Sequence, residues 1–587
     1  MEEFDVYIPI DRRLALARDE QLADRTQGAA LFVDISGFTP LTEALVVELG
    51  PQRGAEELTR HINRVYDGLI AELHRQRGSV IGFSGDAITC WFEGDDGRQA
   101  VACSLAMQSQ MSRLSEVRLP SGRVLPLAVK AVVAAGSARR FSVGDPHIQV
   151  IDVLAGSILD RLATAEHRAQ KGEVVLDPAT AQALAPYVEI ESWREGQFGE
   201  GRLGLVGALK VPVQTSAWPQ LPAAGLAEGK SRPWLLPAVF ERLQHGGGEF
   251  LAELRPAVAL FLRFSGIDYE GDQEAGAKLD SLIRQIQHVL TRYDGTLIQL
   301  TIGDKGSYLY AAFGAPTAHE DDDERAANAA LELRQAALEL GFVNTVSLGV
   351  TRGLMRTGAY GGTQRRTYGV LGDAVNLAAR LMQAANPDEI LVSSRVHKET
   401  GDTFVWGEKD TLQVKGKREP VDVFPLLQVK AKRAIHLEEP VYHIPMVGRQ
   451  DELNLIRGKI GQVLESKGQI IGITGEAGLG KSRLVAEVIG AATRRGLLGY
   501  GSECQSYGTK TSYLVWQGIF QAFFNLDTSW SEDRKISQVS DHLEKVDPTL
   551  VSRLPLLGAV LNLSIPDSDL TRSFDAKLRK SSLEALL

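Results

Sequence analysis

A single strand-and-turn pattern occurs twice in this chain with its charge reversed. Residues 30–39 read ALFVDISGFT and residues 259–268 read ALFLRFSGID. Aligned on the shared ALF and SG, Asp34 of the first copy stands opposite Arg263 of the second. A carboxylate replaced by a cation at one place of a repeat predicts copies with different tasks. One is expected to hold a metal, and the other to bring something to it.

The repeat continues past these strands. In the first copy a helical pattern over 55–76 carries Leu58, Ile62, Val65, Leu69 and Leu73 on one stripe. The hairpin GSVIGFSGDAITCWF (78–92), a helix (97–114), a strand (126–135) and a loop-helix-strand stretch to 176 follow. The second copy repeats the order: a helix near 275–293, GTLIQLTIGDKGSYLYAAFG (295–314), a helix (321–340), VSLGVTRG (346–353) and YGVLGDAVNLAARLMQA (368–384). Irregular alternation with a central hairpin predicts α+β sandwich units, not doubly wound sheets. The expected organisation is a lead-in (1–25), a first domain (26–217), a linker rich in Pro, Gly and Ala (218–250), a second domain (251–430) and a third unit (431–587).

Composition narrows the function classes. A net charge of −10 argues against a nucleic-acid surface. The three cysteines, Cys90, Cys103 and Cys504, have no metal-like spacing and suit a reducing cytoplasm. MEEFDVYIPIDRR lacks the form of a signal peptide, and no uncharged apolar run reaches 18 residues, so no membrane span is expected.

Asp34 and Asp86 each end an apolar strand beside a glycine, in FVDISG and FSGDAI. Two carboxylates meeting on adjacent strands suit Mg²⁺, a cation that prefers hard oxygen ligands, and the carbonyl of Ile35 could add a third. Each Asp alone could equally be a turn residue capping local amides. Asn376 and Arg380, four apart after the turn VLGD, share a helix face. A guanidinium there suits a phosphate and a side-chain amide suits a sugar oxygen, although exposed Asn/Arg faces are common. Lys305, in IGDKGSYLY, and Lys415, in VKGK, could donate to a base or phosphate, or simply be solvated.

The third unit contains GEAGLGKS (475–482), after the apolar run GQIIGIT and before the helical RLVAEVIGAATRR. This is the context of a P-loop, whose amides cradle phosphates. With Gly475 and Gly480 shaping the loop, Lys481 is expected at the β- and γ-phosphates and Ser482 on Mg²⁺. No apolar strand ending in paired acids follows before 587, so the domain reads as incomplete; nucleotide binding is expected, and the sequence leaves hydrolysis open.

FVDISGF, the FSGD hairpin and the G-D-x-V-N-L-A-A-R run resemble the catalytic domains of class III nucleotide cyclases. With a P-loop unit behind two copies, the chain looks most like the soluble adenylyl cyclases, and VGRQDEL (447–453) resembles the entry to their signal-transduction ATPase domains. The resemblance covers roughly 26–430 and implies two ferredoxin-like βαββαβ domains in a pseudo-twofold pair, followed by an α/β P-loop domain. It implies conversion of ATP to cyclic AMP and pyrophosphate at one site within the chain, so that a monomer could be active. Asp34, Ile35 and Asp86 would hold two Mg²⁺ ions, or Mn²⁺, and Asn376 and Arg380 would orient ribose and stabilise phosphate. Lys305 would read adenine, Lys415 would hold pyrophosphate, and Phe38 and Thr39 complete the substrate-binding set.

The departures define what else is expected. In the second copy the metal positions read as Arg263 and Leu309. In the first, the lysine position reads as Gly82 and the Asn position as Ser157, with Arg161 as its arginine partner. The spent pocket would then attract an anion such as bicarbonate through Arg161 and Arg263. Gly369 replaces the usual base-selecting Asp or Thr, which leaves a guanylyl cyclase as an alternative. The hairpin can also be aligned with Asp304 at the place of Asp86 and Leu300 at the lysine place. Lys305 is preferred, because a lone Asp304 opposite Arg263 could not complete a metal pair. A different class of reading is a nucleotide-sensing scaffold that regulates the P-loop unit and its unknown protein partner.

Overall fold

The computed structural model describes residues 4–114, 116–196, 201–219, 221, 225–245, 253–303, 306–414, 420–430, 446–475, 479–502, 513–527 and 530–587. Lys305 and Lys415 lie outside the described residues. The chain forms two units, 1–429 and 430–587.

The larger unit opens with α1 (Ile10–Ala17) and then builds its first half from β1 (Arg25–Ser36), α2 (Phe38–Leu49), α3 (Pro51–Arg75), β2 (Ser79–Ser84), β3 (Ala87–Glu93) and α4 (Arg98–Leu114). A small hairpin, β4 (Glu116–Arg118) with β5 (Val124–Pro126), leads into the long β6 (Ala128–Val143). The half closes with β7 (Ile151–Ala155), α5 (Ser157–Glu166), β8 (Val174–Leu176), α6 (Pro178–Leu184), β9 (Val188–Glu195) and β10 (Arg202–Leu209). Its sheet runs β2-β3-β1-β6-β8-β10-β9, with β7 paired to β6. The stripe Leu58, Ile62, Val65, Leu69 and Leu73 is buried against Leu31, Val33 and Ile35, so the helical period and the strand period meet in one core.

Between the halves, where the sequence reads as a linker or an irregular packed connection, the chain forms α7 (Glu228–Ser231) and α8 (Pro237–Gln244). Leu235, Leu236, Val239 and Phe240 are buried against the second half, which gives this connection a core of its own.

The second half repeats the plan: β11 (Glu253–Ser265), α9 (Ala275–Arg292), β12 (Thr296–Thr301), β13 (Ser307–Phe313), α10 (Asp322–Leu338) and β14 (Thr345–Gly361). It ends in β15 (Arg366–Leu371), α11 (Asp373–Ala384), β16 (Ile390–Ser393), α12 (Ser394–Thr400), β17 (Phe404–Trp406), β18 (Asp410–Leu412) and β19 (Val421–Val429). The strand order β12-β13-β11-β14-β16-β19-β17 matches the first sheet position by position.

The halves exchange arms. Past their sheets, β6 and β14 each extend onto the long helix of the other half. Gly361 N donates to Asn63 Oδ1 at 3.2 Å and Thr363 N to Asp67 Oδ1 at 2.6 Å on α3. The mirror contacts are Gly144 N to Asp280 Oδ1 at 2.8 Å and Asp145 N to Gln287 Oε1 at 2.7 Å on α9. The lead-in, expected as a plain preface, is wedged into this joint. Asp11 and Asp152 share Arg140, Arg12 Nε reaches Asp152 Oδ2 at 2.9 Å, and Arg13 Nη2 donates to the carbonyl of Gln364 at 2.7 Å.

The smaller unit is helical among its described residues: α13 (Gln450–Leu464), α14 (Lys481–Thr493), α15 (Leu514–Phe523), α16 (Glu532–Val546), α17 (Gly558–Leu561) and α18 (Ala576–Leu586). The expected strand GQIIGIT is not formed there; Ile470 is fully exposed, and no strand lies beside it among the described residues to supply a ladder. No helix of the described residues is long and apolar enough to cross a membrane.

Candidate active site

Asp34 lies near the end of β1 and pairs across to Ala87, while Ile35 N donates to the carbonyl of Asp86 at 3.1 Å. The strand end and the β2–β3 turn thus bring both carboxylates to one place. Burial pushes Asp34 above its usual range, an effect only partly countered by Lys130. At Asp86 the protein crowds the carboxyl although part of the residue meets solvent. That desolvation, with the charge of Asp34 next, pushes it up to about 6. Two buried acids, one raised further by the charge of the other, fit a divalent cation, and the Ile35 carbonyl is the third hard oxygen expected from the sequence. Among the described residues no cluster of three or more His, Cys, Asp or Glu forms, so any further ligands would come from substrate or water.

Lys130 was not singled out in the sequence. It stands on β6 directly across from Asp34, with Nζ 3.3 Å from Oδ2, and it also pairs with Glu166 of α5. The signal was available: one lysine in the apolar strand AVKAVVA needs a partner.

The second half reaches this corner through Tyr360 on the β14 arm. Its ring centroid lies 5.6 Å from that of Phe83 and 6.1 Å from that of Tyr66, whose hydroxyl donates to the Gly85 carbonyl at 3.3 Å. Arg356, on the same strand, donates to Thr59 Oγ1 at 2.9 Å. Leu371, paired with Arg356, packs against the first half's core two residues before α11 begins. The helix bearing Asn376 and Arg380 starts two residues after this contact, with Asn376 exposed and Arg380 half-buried. The Phe38 side chain is buried in the first half's core, so only its backbone could face a ligand. Thr39 follows it in α2, and its side chain lies outside the described residues.

The strand registers correct two assignments. Arg263 pairs with Tyr308, so the place of Asp86 in the second half is Ser307, and Leu309 is core opposite Leu300. Gly85 and Asp86 alone span the first hairpin turn, whereas residues 302–307 span the second. The longer second turn places Leu309 two residues past the true position. By the same ladders Gln299 faces Tyr310 as Gly82 faces Thr89, so Gln299 holds the lysine place. Its Nε2 donates across the seam to Ser84 Oγ at 2.9 Å.

On α5 the matching N-terminal glycines Gly156 and Gly372 put Asp160 at the Asn376 place and Thr164 at the Arg380 place, not Ser157 and Arg161. Arg161 turns back into its own half, donating to Asp177 Oδ2 at 2.8 Å and the Ala135 carbonyl at 2.7 Å. Arg263 Nη2 reaches Ser347 Oγ at 3.4 Å within its sheet. The two arginines therefore do not assemble an anion site. A cavity of about 200 Å³ between the halves, bounded by Gly82, Leu154, Leu159, Gln299 and Leu300, has no lysine or arginine in its wall among the described residues.

Gly369 has a steric cause. A Cβ there would lie 2.3 Å from the Tyr360 ring, so the aromatic contact at the seam excludes any side chain. Gly369→Ala is expected to lower stability by about 1–3 kcal/mol, read by thermal unfolding.

In the smaller unit α14 begins at Lys481 after Gly480, whose φ of 85° is left-handed. Lys481 Nζ donates to the Gly475 carbonyl at 2.9 Å, and Ser482 follows in the first turn of the helix.

Two regions of the chain match known domain families. Residues 264–428 match the adenylate and guanylate cyclase catalytic domain, and residues 445–582 match an AAA ATPase domain. The chain is 24% identical over 521 residues to human adenylate cyclase type 10, covering 79% of this chain and 31% of that protein. One chain thus joins a region similar to cyclase catalytic domains to a region similar to AAA ATPase domains. The mouse adenylate cyclase type 10 is 23% identical over 500 residues, covering 78% of this chain and 30% of the relative. The chain thus spans about a third of the length of these relatives. A class III adenylyl cyclase-like ATP-binding protein from Pseudomonas aeruginosa is similar in structure, with a TM-score of 0.44 and 13% identity, over 66% of this chain and 92% of that one.

Proposed function

We propose that this chain is an adenylyl cyclase with one working site, at the seam between Asp34 and Asp86 of the first half and Asn376 and Arg380 of the second. The observation that carries this reading is the complementary arrangement across the seam. The two acids sit in one half beside Tyr360 of the other, whose sheet leads into the helix with the Asn/Arg pair. The mirrored place has Arg263 and Ser307 against Asp160 and Thr164, and so lacks both sets.

The residues present fit a pair of Mg²⁺ or Mn²⁺ ions, which when bound would neutralise the triphosphate and favour ionisation of the ribose 3′-hydroxyl. Asp34, Asp86 and the Ile35 carbonyl would hold them. Asn376 would orient the ribose, and the Arg380 guanidinium would meet charge as it builds on the phosphate under attack. Catalysis of this kind rests on positioning and electrostatics. By the strand registers Gln299, not Lys305, stands at the base-reading place, while Lys415 remains the proposed pyrophosphate-holding group and Gly475, Gly480, Lys481 and Ser482 the proposed nucleotide loop of the smaller unit.

A second reading, GTP as substrate, is favoured by the absence of a side chain at Gly369 and by the amide of Gln299, which donates and accepts. Purified protein supplied with equal ATP and GTP, with Mg²⁺ or Mn²⁺, is expected to form cyclic AMP in at least tenfold excess. Cyclic GMP in excess would select the second reading. No cyclic nucleotide from either would leave the nucleotide-sensing scaffold.

A further inference from the structure

We infer that Glu166 is a positioning residue for the metal site: it draws Lys130 off Asp34, so that a divalent cation can take the carboxylate. The inference rests on the reading of Asp34 as a metal ligand.

Lys130 cannot leave the site, because its strand is laddered to β1 with Lys130 and Asp34 as direct partners. All three side chains are largely enclosed, with 17% of Lys130 and 22% of Asp34 and of Glu166 exposed. Lys130 divides its ammonium between two carboxylates. It lies 3.3 Å from Asp34, and the contact with Glu166 is the closer one. An ammonium on Asp34 neutralises it when no metal is bound and competes with the metal that comes. A second carboxylate on the far side of the ammonium weakens that competition and gives Lys130 somewhere to go. Groups behind metal ligands that set their charge and direction commonly change affinity by about 10–100-fold when removed.

The pseudo-twofold supplies an internal control. The places of Asp34, Lys130 and Glu166 in the second half are Arg263, Ser347 and Met382. Where the metal acid is absent, the lysine and its second carboxylate are absent too. A salt bridge that served only to tie α5 to the sheet would have no reason to follow the metal acid.

The test is Mn²⁺ binding to the nucleotide-free full chain, measured by the electron paramagnetic resonance of free Mn²⁺. Asp34→Asn defines which binding belongs to this site. Glu166→Gln is expected to weaken that binding about tenfold, and Lys130→Gln to tighten it severalfold. In the Lys130→Gln background Glu166→Gln should cost little, because the residue acts through the lysine. Glu166→Asp should recover part of the affinity. If wild type and Asp34→Asn bind Mn²⁺ alike, the metal reading itself is lost. If that difference stands but Glu166→Gln binds like wild type, or weakens binding equally with and without Lys130, the role of Glu166 is overturned. Should Glu166→Gln fail to fold, Lys130→Gln decides the matter: unchanged or weaker binding overturns the inference.

Discussion

Asp34→Ala is expected to lower cyclic nucleotide formation by at least about 10³-fold while leaving the protein folded. The carboxylate faces Asp86 as a like charge, so its removal relieves a repulsion in the metal-free fold. The loss should therefore appear in turnover and not in the unfolding temperature. Arg380→Ala is expected to cost about 10²–10³-fold in turnover, the usual effect of removing one group that meets transition-state charge. Lysine at 380 should recover only part, because a point charge lacks the planar fork. An Asp34→Ala protein with more than a tenth of wild-type activity would show that the seam has been misread.

Arg140→Met should produce the largest change in stability. Arg140 is buried between Asp11 and Asp152, with Nε 2.8 Å from Asp152 Oδ1, and Ser79 Oγ completes the cluster at 2.7 Å from Asp11. Removing the shared cation leaves buried Asp11 without its cation and Asp152 with Arg12 alone, a loss that typically costs about 3–5 kcal/mol. Burial alone would raise Asp152, but Arg140 and then Arg12 outweigh it and hold the group near 2 against an ordinary 3.8. A depressed carboxylate stabilises the fold above its unfolded pKa, and that contribution disappears as pH falls from about 4 to 2. The difference between Arg140→Met and wild type should therefore be full at neutral pH and shrink through that window. A pH-independent difference in urea midpoint would contradict this origin.

The fold was readable because two periods were clean. The stripe from Leu58 to Leu73 and the alternation in ALFVDIS each have one buried face, and the repeat supplied the pairing of elements. Register was less readable. The second hairpin is longer at its tip, and nothing in IGDKGS says which residue re-enters the ladder, so Leu309 was taken for Ser307. On α5, the only arginine near the motif suggested Arg161, although the helix start places Thr164 there. Lys130 and Glu166 were missed for another reason: they lie 36 residues apart, and only the sheet joins them. The lead-in was unread because Asp11, Arg12 and Arg13 look solvated in sequence and become buried only against Arg140 and Gln364.

The exchanged arms also impose an order on biosynthesis. Thr59, Asn63 and Asp67 meet Arg356, Gly361 and Thr363, partners separated from them by 296–298 positions. At about 5–20 residues per second, a ribosome needs roughly 15–60 s to make that stretch. For that time the first half's long helix waits without its cover, while the reciprocal cover for α9 has already been made. Half of the joint is thus prepared before its partner exists, and the nascent first half is the stage at which a chaperone or a misplaced second chain could intervene.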